Sequence, residues 1–212
     1  MIPAGGLSSQ ARLEAMARYG VTVLCCTPTY AQRLGEMIGD QSGIERMSLR
    51  VRKIIVAGET GGSIPEVRRR LEKLWDCEIF DHHGMTEIGP ISYQMPGHPG
   101  TLCVMEESYF AEVVDPVTLA EVADGECGEL LLTNLDRTAC PLMRYRTGDW
   151  VKKRIIGGHL CLEGGMLSRV DEMAVIRGVN VYPSAIEGIV REFDEIVELS
   201  LIHILTLPTK RI

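Results

Sequence analysis

Two glycine-flanked stretches, "VAGETGGS" (56–63) and "DHHGMTEIGP" (81–90), carry residue types that can grip phosphate. Each leaves a predicted strand, and in an open α/β sheet ligands gather outside the carboxyl ends of strands. The first runs into a helix N-terminus, where free N–H groups and partial positive charge suit an anion. The second offers the Thr86 hydroxyl to a phosphate oxygen and the Glu87 carboxylate to Mg²⁺, which takes hard oxygen ligands. Gly58 and Gly84 let the backbone approach a ligand closely. Taken singly, either stretch is better read as an ordinary βα turn. A third stretch, "YRTGD" (145–149), ends a β segment with Asp149, a carboxylate able to accept both hydroxyls of a ribose. Alone it reads as a β-turn with a solvated acid. A fourth, "SRVDEMAVIRGVNVYPSAIE" (168–187), puts Asp171 where one element gives way to another, as a hinge requires.

The elements that must position these residues follow from periodicity. "QARLEAMARYG" sets Leu13, Met16 and Ala17 on one helical face and stops at Gly20; "VTVLCC" is a short strand ending at Thr27-Pro28. A helix over "YAQRLGEMIGD" precedes "RKIIVAGE", whose apolar run predicts a strand covered on both faces. The next helix has Ser63 and Glu66 spaced as a capping box, proline in its first turn, and Val67, Leu71 and Leu74 on one face. Its run Arg68-Arg69-Arg70 reads as a solvated face, and "CEIFDHHG" as the following strand. Alternation of strands and helices predicts an α/β layer with parallel strands over residues 1–96. From 97 to 167, strand-like pieces parted by Gly, Pro and Asp predict a β-rich subdomain. Residues 168–198 read as a hinge, a strand and turn, and a helix opened by Ser184 and Glu187. The last fourteen residues, "LSLIHILTLPTKRI", lack cap or turn signals and resemble a translated sequencing adapter, so 199–212 are expected to be non-native.

Composition narrows the function classes. The 212 residues carry 22 Lys plus Arg against 29 Asp plus Glu, a net charge of −7 that argues against nucleic acid or an anionic membrane as partner. No apolar run approaches the ~20 residues that span a bilayer, and the N-terminus lacks the pattern of a signal peptide. Seven cysteines without a CxxC pair read as reduced, buried thiols of a cytoplasmic protein. His82, His83, His98, Cys103, His159 and Cys161 offer zinc ligands in type but lack a four-ligand spacing, so no zinc is assigned. The His82-His83 pair reads as site wall.

The four stretches, in this order, resemble the motifs of the adenylate-forming acyl-CoA ligases, most closely the phenylacetate–CoA ligase family. "DHHGMTEIGP" is similar to the aromatic/His-Gly-x-Thr-Glu motif, and "YRTGD" matches Tyr-Arg-Thr-Gly-Asp outright. "SRVDEMAVIRGVNVYPSAIE" resembles the hinge motif, and "RGVNVYP" the phenylacetate branch. The likeness covers residues 3 to about 198. It implies the C-terminal part of a large α/β-plus-β domain, followed by the start of a small α+β domain. The implied activity has two steps: an acid carboxylate attacks the α-phosphate of ATP, and coenzyme A thiol then displaces AMP from the acyl-adenylate.

By position, Thr86 and Glu87 become the catalytic pair, Thr86 on the α-phosphate and Glu87 on Mg²⁺. Asp149 takes the ribose hydroxyls with Arg169 assisting; Gly58 and Glu59 line the adenine or acyl pocket, beside His83 and Gly84. Asp171 is the implied pivot, and Arg177 with Gly178 line the approach of the thiol. The implied partners are a carboxylic, expected aryl, acid, ATP and coenzyme A, with a homodimer left open. Ser168 departs from the motif's usual glycine. The family's phosphate loop and C-terminal lysine are missing, so an internal fragment, inactive or nearly so alone, is expected. A non-catalytic nucleotide-binding module, a ligase for another acid, and more distantly a metal hydrolase are the competing readings.

Overall fold

The computed structural model describes residues 1–39, 43–170, 174–176, 179–181, 186, 189 and 190. Asp171, Arg177, Gly178, the Ser184–Glu187 capping box and the last fourteen residues lie outside the described residues.

The chain opens with α1 (Ser9–Tyr19), whose N-cap Ser8 accepts from the Ala11 N–H and whose C-cap Gly20 is left-handed. β1 (Val23–Cys26) leads through the N-cap Thr27 into α2 (Pro28–Met37). β2 (Lys53–Val56), α3 (Pro65–Trp75) and β3 (Glu78–Met85) follow, with β1, β2 and β3 parallel. All three helices contribute to one core: Leu13 and Met16 from α1, Ala31 and Leu34 from α2, and Val67, Leu71 and Trp75 from α3, over Ile54, Val56 and Ile79 of the sheet. Trp75 is fully buried and donates its indole N–H to the Ala31 carbonyl at 2.8 Å. The helices meet so closely there that a Cβ on Gly35 would lie 2.9 Å from the Trp75 Nε1, which explains a glycine inside α2.

Three local expectations change. Among the described residues β2 is covered on one face only: Ile54 and Val56 are buried, whereas Lys53 and Ile55 are exposed. The capping box does not form. Ile64 is the N-cap of α3 without a side-chain bond, because the Ser63 hydroxyl donates to the Asp81 carboxylate and Glu66 pairs with Arg69. A mostly buried carboxylate loses more by going unpaired than an exposed helix-end N–H, which water can satisfy. The arginine run is also split. Arg69 and Arg70 pair with Glu66 and Glu36, but Arg68 is buried and donates to the Ile79 and Gly62 carbonyls and to Gln94.

Within β3 the sheet changes character. Glu78–Asp81 pair with β2 in parallel, while His82–Met85 pair antiparallel with β4 (Gly89–Gln94), with a bulge between His83 and Gly84. The antiparallel region continues through β5 (Thr101–Val104), β9 (His159–Arg169), β8 (Tyr145–Ile156), β7 (Cys127–Asn134) and β6 (Tyr109–Val114), giving nine strands in the order β1-β2-β3-β4-β5-β9-β8-β7-β6. Its own core gathers Ile88, Ile91, Leu102, Val113, Leu130, Leu132, Val151 and Leu162. Antiparallel pairing therefore begins at His82, ahead of the compositional change near residue 97, where Ile91 of β4 and Ile88 just before it pack into this second core. A short antiparallel pair, β10 (Ala174–Ile176) and β11 (Val179–Val181), stands where one strand and a turn are expected, and the turn itself falls outside the described residues.

The cysteines correct the expectation of reduced, buried thiols. Cys103 and Cys161 are direct cross-strand partners of β5 and β9 and are disulfide-bonded, whereas Cys25 and Cys140 are exposed. Alkylation of the denatured, unreduced chain is expected to label five cysteines by mass spectrometry, and seven after reduction. Labelling of all seven without reductant would contradict the bond.

Candidate functional site

A cleft of about 490 Å³ opens beyond the carboxyl end of β2, between the β2–α3 loop, the middle of β3, and β8 and β9. Its walls include Gly58, Glu59, His83, Gly84, Asp149 and Arg169, six of the residues that the sequence singles out.

Asp149 is the best-determined group in it. It is buried, and it lies within β8 rather than in a solvated β-turn. Its Oδ2 is 3.1 Å from His83 Nε2, and its Oδ1 accepts from Arg169 Nη1 at 2.9 Å. Arg169 Nη1 also donates to the Thr147 carbonyl, and β8 and β9 place Asp149 and Arg169 in direct register. Thr147 holds the backbone: its hydroxyl donates to the Leu130 carbonyl and accepts from the Asp149 N–H. Gly148 has φ +73°, a left-handed conformation that favours glycine, and a Cβ there would push on the Arg169 guanidinium, 2.7 Å away. His83 is buried too, and its Nδ1 has no hydrogen-bond partner among the described residues. The result is a carboxylate fixed in place by a cation and an imidazole, at the edge of a cleft. Such a group can accept hydrogen bonds from a polyol with little reorganisation.

Glu59 reaches sideways: its Oε1 accepts from the Thr29 N–H at 2.8 Å and the Thr29 hydroxyl at 2.5 Å, tying the loop to the first turn of α2. Thr86 and Glu87 lie just beyond β3, in the tight turn to β4, and both are exposed. They line a second opening of about 850 Å³ together with Cys25, Cys26, Thr27, Ile55 and Ala57. The two openings share the lining residues Gly58, His82, Gly84 and Met85, so they adjoin along β3. The Glu87 carbonyl accepts from Arg137, and its carboxylate is in no ion pair among the described residues. One exposed, unpaired carboxylate beside a hydroxyl fits Mg²⁺, which keeps several waters and takes few protein ligands. Among the described residues no group of three or more His, Cys, Asp or Glu could hold a metal ion.

Ser63, Asp81 and Gly164 also line the first cleft, although the sequence reading gave none of them a role there. The available signal was the glycine pairs Gly61-Gly62 and Gly164-Gly165, which mark close backbone approach.

The family described as AMP-binding enzyme matches residues 1–135. The chain belongs to the AMP-binding enzyme family. Within it, the chain is 30% identical to a phenylacetate–coenzyme A ligase of Pseudomonas putida, over 96% of this chain and 46% of that protein. It is 29% identical to the phenylacetate–coenzyme A ligase of Thermus thermophilus, over 93% of this chain and 45% of that one. Among solved structures, a 2-hydroxyisobutyryl-CoA ligase in complex with 2-HIB-AMP shares the fold at a TM-score of 0.82 and 24% identity, over 91% of this chain and 42% of that chain. An anthranilate CoA ligase in complex with anthranoyl-AMP gives 0.68 and 19%, over 93% and 39%. The chain thus spans less than half the length of the curated relatives it matches.

Proposed function

We propose that the protein carrying this chain is an ATP-dependent, AMP-forming acid–CoA ligase acting on a carboxylic acid, preferentially an aryl acid. The observation that carries this reading is Asp149, fixed by His83 and Arg169 in a cleft that shares lining residues with the opening at the Thr86–Glu87 turn. Asp149 accepts the ribose hydroxyls, and Arg169 holds its carboxylate in the orientation that both bonds need. Gly58 and the Glu59 loop flank the adenosine, and Gly84 gives the chain clearance where the two openings adjoin. Thr86 donates to an α-phosphate oxygen. Glu87 offers the carboxylate for Mg²⁺, which when bound neutralises phosphate charge as pyrophosphate leaves.

The second opening, with Cys25, Cys26, Ile55, Ala57 and Met85 in its wall, suits the apolar body of the acid. The acid carboxylate attacks the α-phosphate to give the acyl-adenylate, and the thiol of coenzyme A then displaces AMP to form the thioester. Asp171, Arg177 and Gly178 are assigned the pivot and the thiol approach by motif alone. Among the described residues no helix is long and apolar enough to cross a membrane.

Calorimetric titration of the chain with AMP tests the reading. Asp149→Asn is expected to weaken binding about 10- to 100-fold, since hydrogen bonds to a charged group contribute about 1.5–3 kcal/mol each. Equal affinity in the variant would remove Asp149 from the ribose.

A further inference from the structure

Beneath the first cleft lies a polar pair that the proposed chemistry leaves without a role. The Ser63 hydroxyl donates to Asp81 Oδ2 at 2.5 Å, and the His82 N–H donates to Oδ1 at 2.9 Å. Burial pushes the Asp81 carboxyl above the usual carboxylate range, and the bonds from Ser63 and His82 oppose that rise. The packing around the pair leaves no slack. A Cβ on Gly62 would lie 2.5 Å from the Asp81 carboxyl, and one on Gly165 would lie 2.6 Å from the Ser63 hydroxyl. Asp81 is also the last residue of β3 in parallel pairing with β2, and its N–H donates to Gln94 Oε1 at 3.3 Å. At its other end the same β2–α3 loop is fastened by Glu59 to Thr29.

We infer that Ser63 and Asp81 are positioning residues: they clamp the end of the 58–62 loop nearest α3 and so hold Gly58 and Glu59 at the adenosine. This rests on the nucleotide reading above. A loop pinned at both ends keeps its shape before the ligand arrives, and binding then costs less ordering entropy.

The test uses the 212-residue chain with three substitutions and two readouts. Ser63→Ala removes the donor, and Asp81→Ala removes the acceptor. Asp81→Asn keeps the connection, since its oxygen can accept from the His82 N–H while its amide donates to the Ser63 oxygen. The first readout is exchange of the Ile64 amide, which donates to the Gly61 carbonyl at 3.0 Å. It is expected to exchange at least about tenfold faster in both alanine variants and near the unaltered rate in Asp81→Asn. The second is AMP affinity, expected to fall about tenfold in the alanine variants and to be largely retained in Asp81→Asn. Unchanged Ile64 exchange in Ser63→Ala overturns the clamp. Faster exchange spread through β2 and β3 also overturns it, because the pair would then be supporting the whole layer. Faster Ile64 exchange with unaltered AMP affinity overturns the positioning role alone. Absence of AMP binding by the unaltered chain overturns the nucleotide reading and the positioning role with it.

Discussion

Glu87→Ala, made in a full-length protein carrying this sequence, is expected to lower acid-dependent ATP–pyrophosphate exchange by about 100- to 1,000-fold, the range for loss of one preorganised charge-stabilising group. The side chain is exposed on the β3–β4 turn and the fold does not rest on it; its backbone carbonyl, held by Arg137, survives the substitution. The melting temperature is therefore expected to stay within the small range of surface changes while catalysis collapses. Glu87→Asp keeps the charge but shortens the reach, and is expected to fall between the two with a raised Mg²⁺ requirement. Exchange at the unaltered rate in Glu87→Ala would take the metal away from this turn.

The largest effect on stability belongs to Trp75. It is fully buried, donates to the Ala31 carbonyl, and fills the space where α2 and α3 approach at Gly35. Trp75→Ala is expected to cost about 3–5 kcal/mol, the range for removing a large buried aromatic. Urea unfolding followed by circular dichroism measures it, and a loss below about 1 kcal/mol would mean that the helices close over the gap. Because α3 begins at the loop that lines the first cleft, AMP affinity is expected to fall in the same variant.

Which features were legible in the sequence depends on how local their causes are. Helices α1 to α3 and strands β1 to β3 follow from periodicity and breakers and stand close to where they are expected, with Gly20 closing α1 and Pro28 opening α2. The family was legible because ordered motifs survive changes elsewhere. The misreadings share one cause: a partner distant in sequence. Ser63 had two candidate partners, and the carboxylate 18 residues on took its hydroxyl. Arg68 looked like its exposed neighbours until β3 and Gln94 supplied acceptors. Cys103 and Cys161 are 58 residues apart and meet only through strand register. The same holds for Asp149. Its residue type suggested ribose, but only the pairing of β8 with β9 and the run of β3 beneath them bring Arg169 and His83 to its two oxygens.

The strand that changes partners halfway along has a mechanical consequence. β3 is hydrogen-bonded to a parallel neighbour over its first half and to an antiparallel one over its second, with no intervening loop. A continuous backbone, paired along its whole length to one neighbour or the other, transmits displacement instead of absorbing it. Asp81 and His83 ride on this beam, and Thr86 stands at its tip. The ends of the cradle are therefore expected to shift together, with β9 releasing the chain only after Arg169.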